Sequence, residues 1–187
     1  MSRNYQGIHY IQERLKEFNS QFVECVIRQF NLIESYKESD GCLSNSIILY
    51  ICAKEYDYKP KLCYGLCSYE NHQFYHAWLE INDIIIDLSI YGNVNYNPYF
   101  TFQNKLDTPY IGVYENNDIY YGRFEFDEDW SSSLISKMEG VTFINYMDGL
   151  PQNKMWKLLC RILDTTLSKD LVNHFKSLIK NNIIKRD

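Results

Sequence analysis

Residues Phe74 to Ser89 read "FYHAWLEINDIIIDLS". Two runs rich in aromatic and β-branched residues flank Asn82-Asp83. Both of these residue types tolerate positive φ, so a two-residue hairpin turn is the natural reading. With Asn82 and Asp83 as the turn, Ile81 faces Ile84, Trp78 lies opposite Asp87, and His76 lies opposite Ser89. Side chains two apart in a strand share a face. His76, Trp78 and Asp87 then project from one face, and Tyr75, Ala77, Leu79 and Ile81 from the other. His76 and Asp87 become diagonal neighbours across the pair. A histidine beside a carboxylate has one ring nitrogen held while the other moves a proton, the base-and-orienter half of a nucleophilic site.

The stretch that could supply a nucleophile is "GCLSNSIILYICAKEY", Gly41 to Tyr56. The turn "KESDG" precedes it, and its apolar residues cover a wide arc (Leu43, Ile47, Ile48, Ile51, Cys52). It reads as a buried central helix from about Cys42 to Glu55. Of the six cysteines (Cys25, Cys42, Cys52, Cys63, Cys67, Cys160), only Cys42 falls at a predicted helix start after a turn. Unpaired N–H groups and the positive dipole end lower a thiol pKa there. The same N–H groups are donors for an oxyanion. Taken alone, each residue has a plainer role: Cys42 a small core residue, His76 a satisfied core histidine, Asp87 a strand-end cap.

In order, the chain has Cys at a helix start, the strand "KLCYGLCSY", "HAW" on the next strand, then Asp on the third. Residues 40–92 thereby resemble the transglutaminase-like branch of the papain-like cysteine-enzyme superfamily. The resemblance implies an α+β fold in which the central helix carrying the cysteine packs on an antiparallel sheet. It implies Cys42 as nucleophile, His76 as general base and acid, and Asp87 as orienter, with no cofactor. Trp78, Tyr64 and Tyr91 are the expected substrate-side walls. The implied activity is attack on an amide or ester carbonyl through a Cys acyl-enzyme, as in a cysteine peptidase or amidase. Acyl transfer to an amine would use the same residues. The expected partner is a peptide or protein substrate, or a small amide or thioester.

The remaining chain frames this core. Its 187 residues suggest one domain, 1–187. Within it, 1–39 reads as N-terminal helices, 40–92 as the catalytic core, 93–150 as a β-rich substrate region and 151–187 as C-terminal helices. Apolar residues recur at helical spacing from Ile8 to Ile33, and Asn19-Ser20 divides them, with Ser20 as the cap. The stretch from Gly92 to Pro109 reads as irregular. "PYIGVYENNDIYYGRFEF" reads as a hairpin about Asn116-Asn117. Pro151 fits the first turn of a helix to about Leu163, and a last helix is expected from about Ser168 to Asn181.

With 45% apolar and 23% charged residues the composition is that of a globular protein. No apolar run is long enough to span a bilayer. No secretion signal opens the chain, so a cytoplasmic protein without disulfides is expected. A net charge of −5 argues against a nucleic-acid partner. The terminal basic cluster Lys176, Lys180, Lys185 and Arg186 reads as a solvated helix end. Two further readings remain open. Cys63, Cys67, His72 and His76 gather zinc-ligand types within a short span, without the usual spacing of two ligand pairs. The aromatic-rich region from Tyr91 to Tyr121 suits a peptide-binding surface without catalysis.

Overall fold

In the computed structural model, which describes residues 3–114, 118–123, 125–126, 129, 133 and 135–185, the hairpin forms as its turn chemistry dictates. Asn82 and Asp83 both take positive φ, 52° and 62°. This is the pattern of the tight turn whose twist matches its flanking strands. Strand β2 (His72–Ile81) pairs with β3 (Ile84–Asp87) in the register Ile81↔Ile84, Glu80↔Ile85, Leu79↔Ile86. Strand β1 (Lys61–Tyr69) lies on the other side of β2. Two short strands, β4 (Tyr110–Gly112) and β5 (Ile119–Arg123), complete an antiparallel sheet of order β4-β3-β2-β1-β5. The outer strands curl toward each other, bringing the Tyr110 and Tyr121 rings to 5.2 Å. The sheet is a half-barrel.

Helices cover the sheet. The N-terminal pair is α1 (Arg3–Arg14) and α2 (Ser20–Tyr36), and the central helix is α3 (Cys42–Glu55). Helix α4 (Ser89–Tyr96) follows β3. Helices α5 (Phe143–Asp148), α6 (Lys154–Ile162) and α7 (Lys169–Ile179) lie toward the C-terminus. Alternation along β2 sorts the core into two clusters. Ala77, Leu79 and Ile81 join Ile86 against Ile47, Ile48 and Ile51 of α3. Trp78 joins Cys63, Cys67, Ile85, Tyr110 and Tyr121 against Ile90 and Val94 of α4 and Phe102. Helix α3 is buried nearly all round, as its apolar arc requires. Truncating its fully buried Ile47 to alanine would cost ~2–5 kcal/mol.

Several expectations are corrected. The third strand stops at Asp87, and the chain turns directly into α4, where irregular structure was expected from Gly92. The sequence "SIYGNVNY" is poor in strong helix formers. Its helix is held by burial and by the Asp87 side chain at its start. Strands β4 and β5 do not form a hairpin: β4 pairs with β3 and β5 with β1. Long-range pairing with the two free sheet edges wins over local pairing. The expected turn at Asn116-Asn117 lies outside the described residues, as does Arg186 of the basic cluster. Asn19, not Ser20, caps α2, its Oδ1 accepting from Gln21 and Phe22 N–H. Pro151 heads a separate 3-10 turn, and α6 starts only at Lys154, because Gln152 and Asn153 take positive φ. Among the described residues of 93–150, expected to be β-rich, the only strands are β4 and β5.

Among the described residues no helix is long and apolar enough to cross a membrane. All six cysteines are free thiols.

Candidate active site

Cys42 is the first residue of α3. Its neighbour Gly41 makes no side-chain cap to the helix, so the N–H groups of the first turn, which have no partner within the helix, face the thiol end uncapped. Gly41 leaves room for the Glu38 side chain beside the helix start. A Cβ there would meet the Glu38 carboxyl oxygen at 2.0 Å. The helix start is pinned from three sides. Gln29 Nε2 donates to Asn45 Oδ1 at 2.8 Å and to its carbonyl at 3.0 Å. Asn45 Nδ2 donates to Ser89 Oγ at the start of α4, 3.1 Å. Ser46 Oγ donates to the Ala77 carbonyl on β2, 3.1 Å, one residue from His76. Buried side-chain bonds thus tie α2, α3, α4 and β2 together within a few residues of Cys42 and His76.

His76 and Asp87 are buried and joined, Nε2 to Oδ2, at 2.8 Å. The register derived from the Asn82-Asp83 turn is what places them on one face. Asp87 also caps α4. Its Oδ1 accepts from the Ser89 and Ile90 N–H groups, each at 3.0 Å, and Tyr121 donates its hydroxyl to Oδ2 at 2.8 Å. The strand-end cap and the histidine partner are therefore the same residue, one role per oxygen. Burial alone would lower the His76 pKa. The charge and hydrogen bond of Asp87, and then Cys42, outweigh it and push the imidazole up to about 10. Cys42 lies close enough to this ring to be among the groups that raise it. Nε2 is engaged by Asp87, and Nδ1 faces Asn93 on α4.

Among the six cysteines, Cys42 is the one that is not buried. Burial pushes Cys52 and Cys67 well above the ordinary thiol value and Cys63 up to about 12. A hydrogen bond from Cys52 lowers Cys25, but Cys25 is sealed in the core.

A cavity of about 560 Å³ opens in front of Cys42. Of the expected substrate walls, none lines it. Trp78 is buried behind the imidazole, its ring stacked at 6.5 Å and 16°, with Nε1 donating to Tyr114 at 3.4 Å. Tyr64 points into the α3-side core, and Tyr91 is buried against Phe30 and donates to Glu34. Aromatic residues near a motif in sequence are as often core as wall, and burial decides. The four candidate zinc ligands do not converge. Cys63 donates to Glu80, and His72 packs on Phe100 and Phe102. Cys67 lies in the cluster beneath Trp78, while His76 holds Asp87. Among the described residues no three metal-ligating side chains form a group that could hold an ion. The aromatics from Tyr91 to Tyr121 are largely interior: Phe102, Tyr110 and Tyr121 are buried, while Tyr99 and Tyr120 are exposed.

Sequence reasoning missed two neighbours of the pair. Asn93 on α4 places Nδ2 3.2 Å from His76 Nδ1, and Tyr121 reaches Asp87 from β5. Neither is near the motif in sequence. A helical reading of 89–96 would have drawn attention to Asn93, but no local signal points to Tyr121.

Residues 11–101 match the family model described as the transglutaminase-like superfamily. No curated protein and no solved structure matches the chain significantly. The matched span takes in α2, α3, the β1–β3 meander and α4, and with them Cys42, His76, Asp87 and Asn93; it leaves out Tyr121 and α5 to α7. Over residues 11–101 the chain is similar to the transglutaminase-like superfamily.

Proposed function

We propose that the protein is a thiol enzyme that attacks amide or ester carbonyls through Cys42. The observation that carries this reading is the convergence on one half-buried thiol of a helix start and an imidazole held by a buried carboxylate. The His76 imidazolium already carries the proton that leaves the thiol, and Sγ attacks the carbonyl carbon as the thiolate. The C=O electron pair becomes an oxyanion, for which the uncapped first-turn N–H groups of α3 are donors. The C–N or C–O bond then breaks, and the imidazolium returns its proton to the leaving amine or alcohol. A thioester remains on Cys42. Water or an amine, deprotonated by His76, attacks the thioester and restores the thiol.

Hydrolysis of a peptide or isopeptide-like amide by a single-domain cytoplasmic enzyme is the primary reading. Transfer of the acyl group to an amine shares every step but the last. No cofactor enters these steps.

Reaction with p-nitrophenyl acetate tests it. The expected result is a burst of nitrophenol with one acetyl group on Cys42 by intact mass and peptide mapping, absent in Cys42→Ala. Added amines then separate transfer from hydrolysis by the product formed. Acetylation spread over lysines and several thiols, with no burst, would contradict the proposal.

A further inference from the structure

The cavity before Cys42 has a consistent chemistry. Leu43, Phe74, Phe100, Ile135 and Met138 give it apolar walls. The wall reaches the catalytic ring itself: Phe74 stands edge-on to His76 at 5.8 Å and packs against Phe100 at 5.6 Å. Cys42 lines the same cavity. The cavity's 560 Å³ falls within the range of small-ligand sites, roughly 300–1,000 Å³. It has room for a ring and the chain on either side of it.

Charge narrows the occupant. Asp40 is the one carboxylate lining the cavity, and no Lys or Arg lines it among the described residues. The His76 imidazolium behind Phe74 is already paired with Asp87. An anionic side chain would meet Asp40 with no cation to compensate it, and its desolvation would go unrewarded.

We propose that Cys42 acts on amides or esters that carry a bulky, uncharged apolar group, aromatic or branched aliphatic, beside the reacting carbonyl. This rests on Cys42 being the nucleophile. Pocket contacts of this kind discriminate by roughly 10- to 100-fold.

The test uses three alkylating agents with one warhead: iodoacetamide, N-benzyl iodoacetamide and N-carboxymethyl iodoacetamide. Each rate at Cys42 of the full chain is read by intact mass and peptide mapping. It is then divided by the rate of the same reagent with glutathione. The benzyl reagent is expected to exceed iodoacetamide at least tenfold and to saturate with concentration. The carboxymethyl reagent is expected to gain nothing. Met138→Glu should collapse the benzyl-to-parent ratio toward one. Tyr99→Glu, at a cavity side chain that is 85% exposed and so safe for folding, should lower the ratio as well. Equal normalised rates for benzyl and parent, a preference for the carboxymethyl reagent, or a ratio untouched in both variants would overturn the pocket assignment while leaving an activated Cys42 in place. A Cys42 inert to iodoacetamide would overturn the thiol-enzyme reading and this inference together.

Discussion

His76 Nε2 and Asp87 Oδ2 lie 2.8 Å apart, and the other oxygen of that carboxylate caps the helix that follows. One buried side chain therefore fixes the imidazole and the start of α4, the helix that delivers Asn93 to the opposite ring nitrogen. The helix and the imidazole cannot shift independently.

Asp87→Asn separates these jobs. The asparagine oxygen still caps α4, so the helix start should persist, while loss of the charge from the buried pair should lower stability by ~3–5 kcal/mol. The charge that raises the His76 pKa is lost, and burial then favours the neutral ring. Acyl-enzyme formation at pH 7 is expected to drop on the order of 10³- to 10⁴-fold. Paired urea titrations and burst kinetics read the two effects. A near-normal burst would reduce Asp87 to a helix cap.

Stability should depend on pH through His76. Its folded pKa, about 10, lies above the ordinary value of 6.5. The stabilisation it brings is fully present below pH 6.5 and is lost as pH rises through 10. Urea midpoints at pH 6, 7.5 and 9 are expected to decline in the wild type and to flatten in His76→Gln. Buried Tyr121 and Cys67, pushed well above their ordinary values, contribute only from about pH 8.5 upward, where their unfolded forms begin to ionise. The interval from pH 6.5 to 8 therefore isolates the histidine. Identical slopes in the two proteins would contradict an imidazolium paired with Asp87.

Tyr121→Phe removes one hydroxyl donor from Asp87 Oδ2. A lost hydrogen bond to a charged group costs ~1.5–3 kcal/mol. Because this oxygen also faces His76, alkylation of Cys42 should keep its site but show a shifted pH profile. A loss of stability with an unshifted profile would make Tyr121 purely structural.

Gly92→Ala reverses the usual sign of a helix substitution. Alanine normally stabilises a helix by about 0.5–1 kcal/mol over glycine. Here the new Cβ would meet the Glu38 carbonyl oxygen at 2.2 Å, a backbone atom that cannot swing aside. Overpacking of this kind costs ~1–3 kcal/mol. The expected outcome is a lower melting temperature together with slower Cys42 alkylation, because α4 is pushed from the turn that leads into Cys42. A stabilised variant would show that α4 and this turn are not in contact.

What the sequence disclosed follows the range of the forces involved. The His76–Asp87 pairing was legible because Asn82 and Asp83 permit one tight turn, and that turn sets the register of both strands. The α3 start was legible from a turn followed by a wide apolar arc. Helix α4 was hidden because its residues favour no helix by propensity; a carboxylate at its start and burial of Ile90, Tyr91 and Val94 make it. The placement of β4 and β5 was hidden for a different reason. An Asn pair between aromatic strands signals a local hairpin, whereas Ile85↔Gly112 and Cys67↔Tyr121 are long-range pairings that only the closed sheet reveals. Tyr121 joins the site by that route. Trp78 lies behind the imidazole and not on the cavity because strand alternation gives the face, not the depth, and Tyr64 and Tyr91 are core residues.

The central claim is that one of six thiols is activated. Its most direct test is the alkylation of native protein by iodoacetamide at pH 6.5, followed by intact mass and mapped by peptide, in the wild type, Cys42→Ala and His76→Ala. The account predicts a single rapid adduct on Cys42 in the wild type, none on that timescale in Cys42→Ala, and a rate at least tenfold slower in His76→Ala. Equal reactivity of several cysteines in folded protein, or a Cys42 rate indifferent to His76, would contradict it.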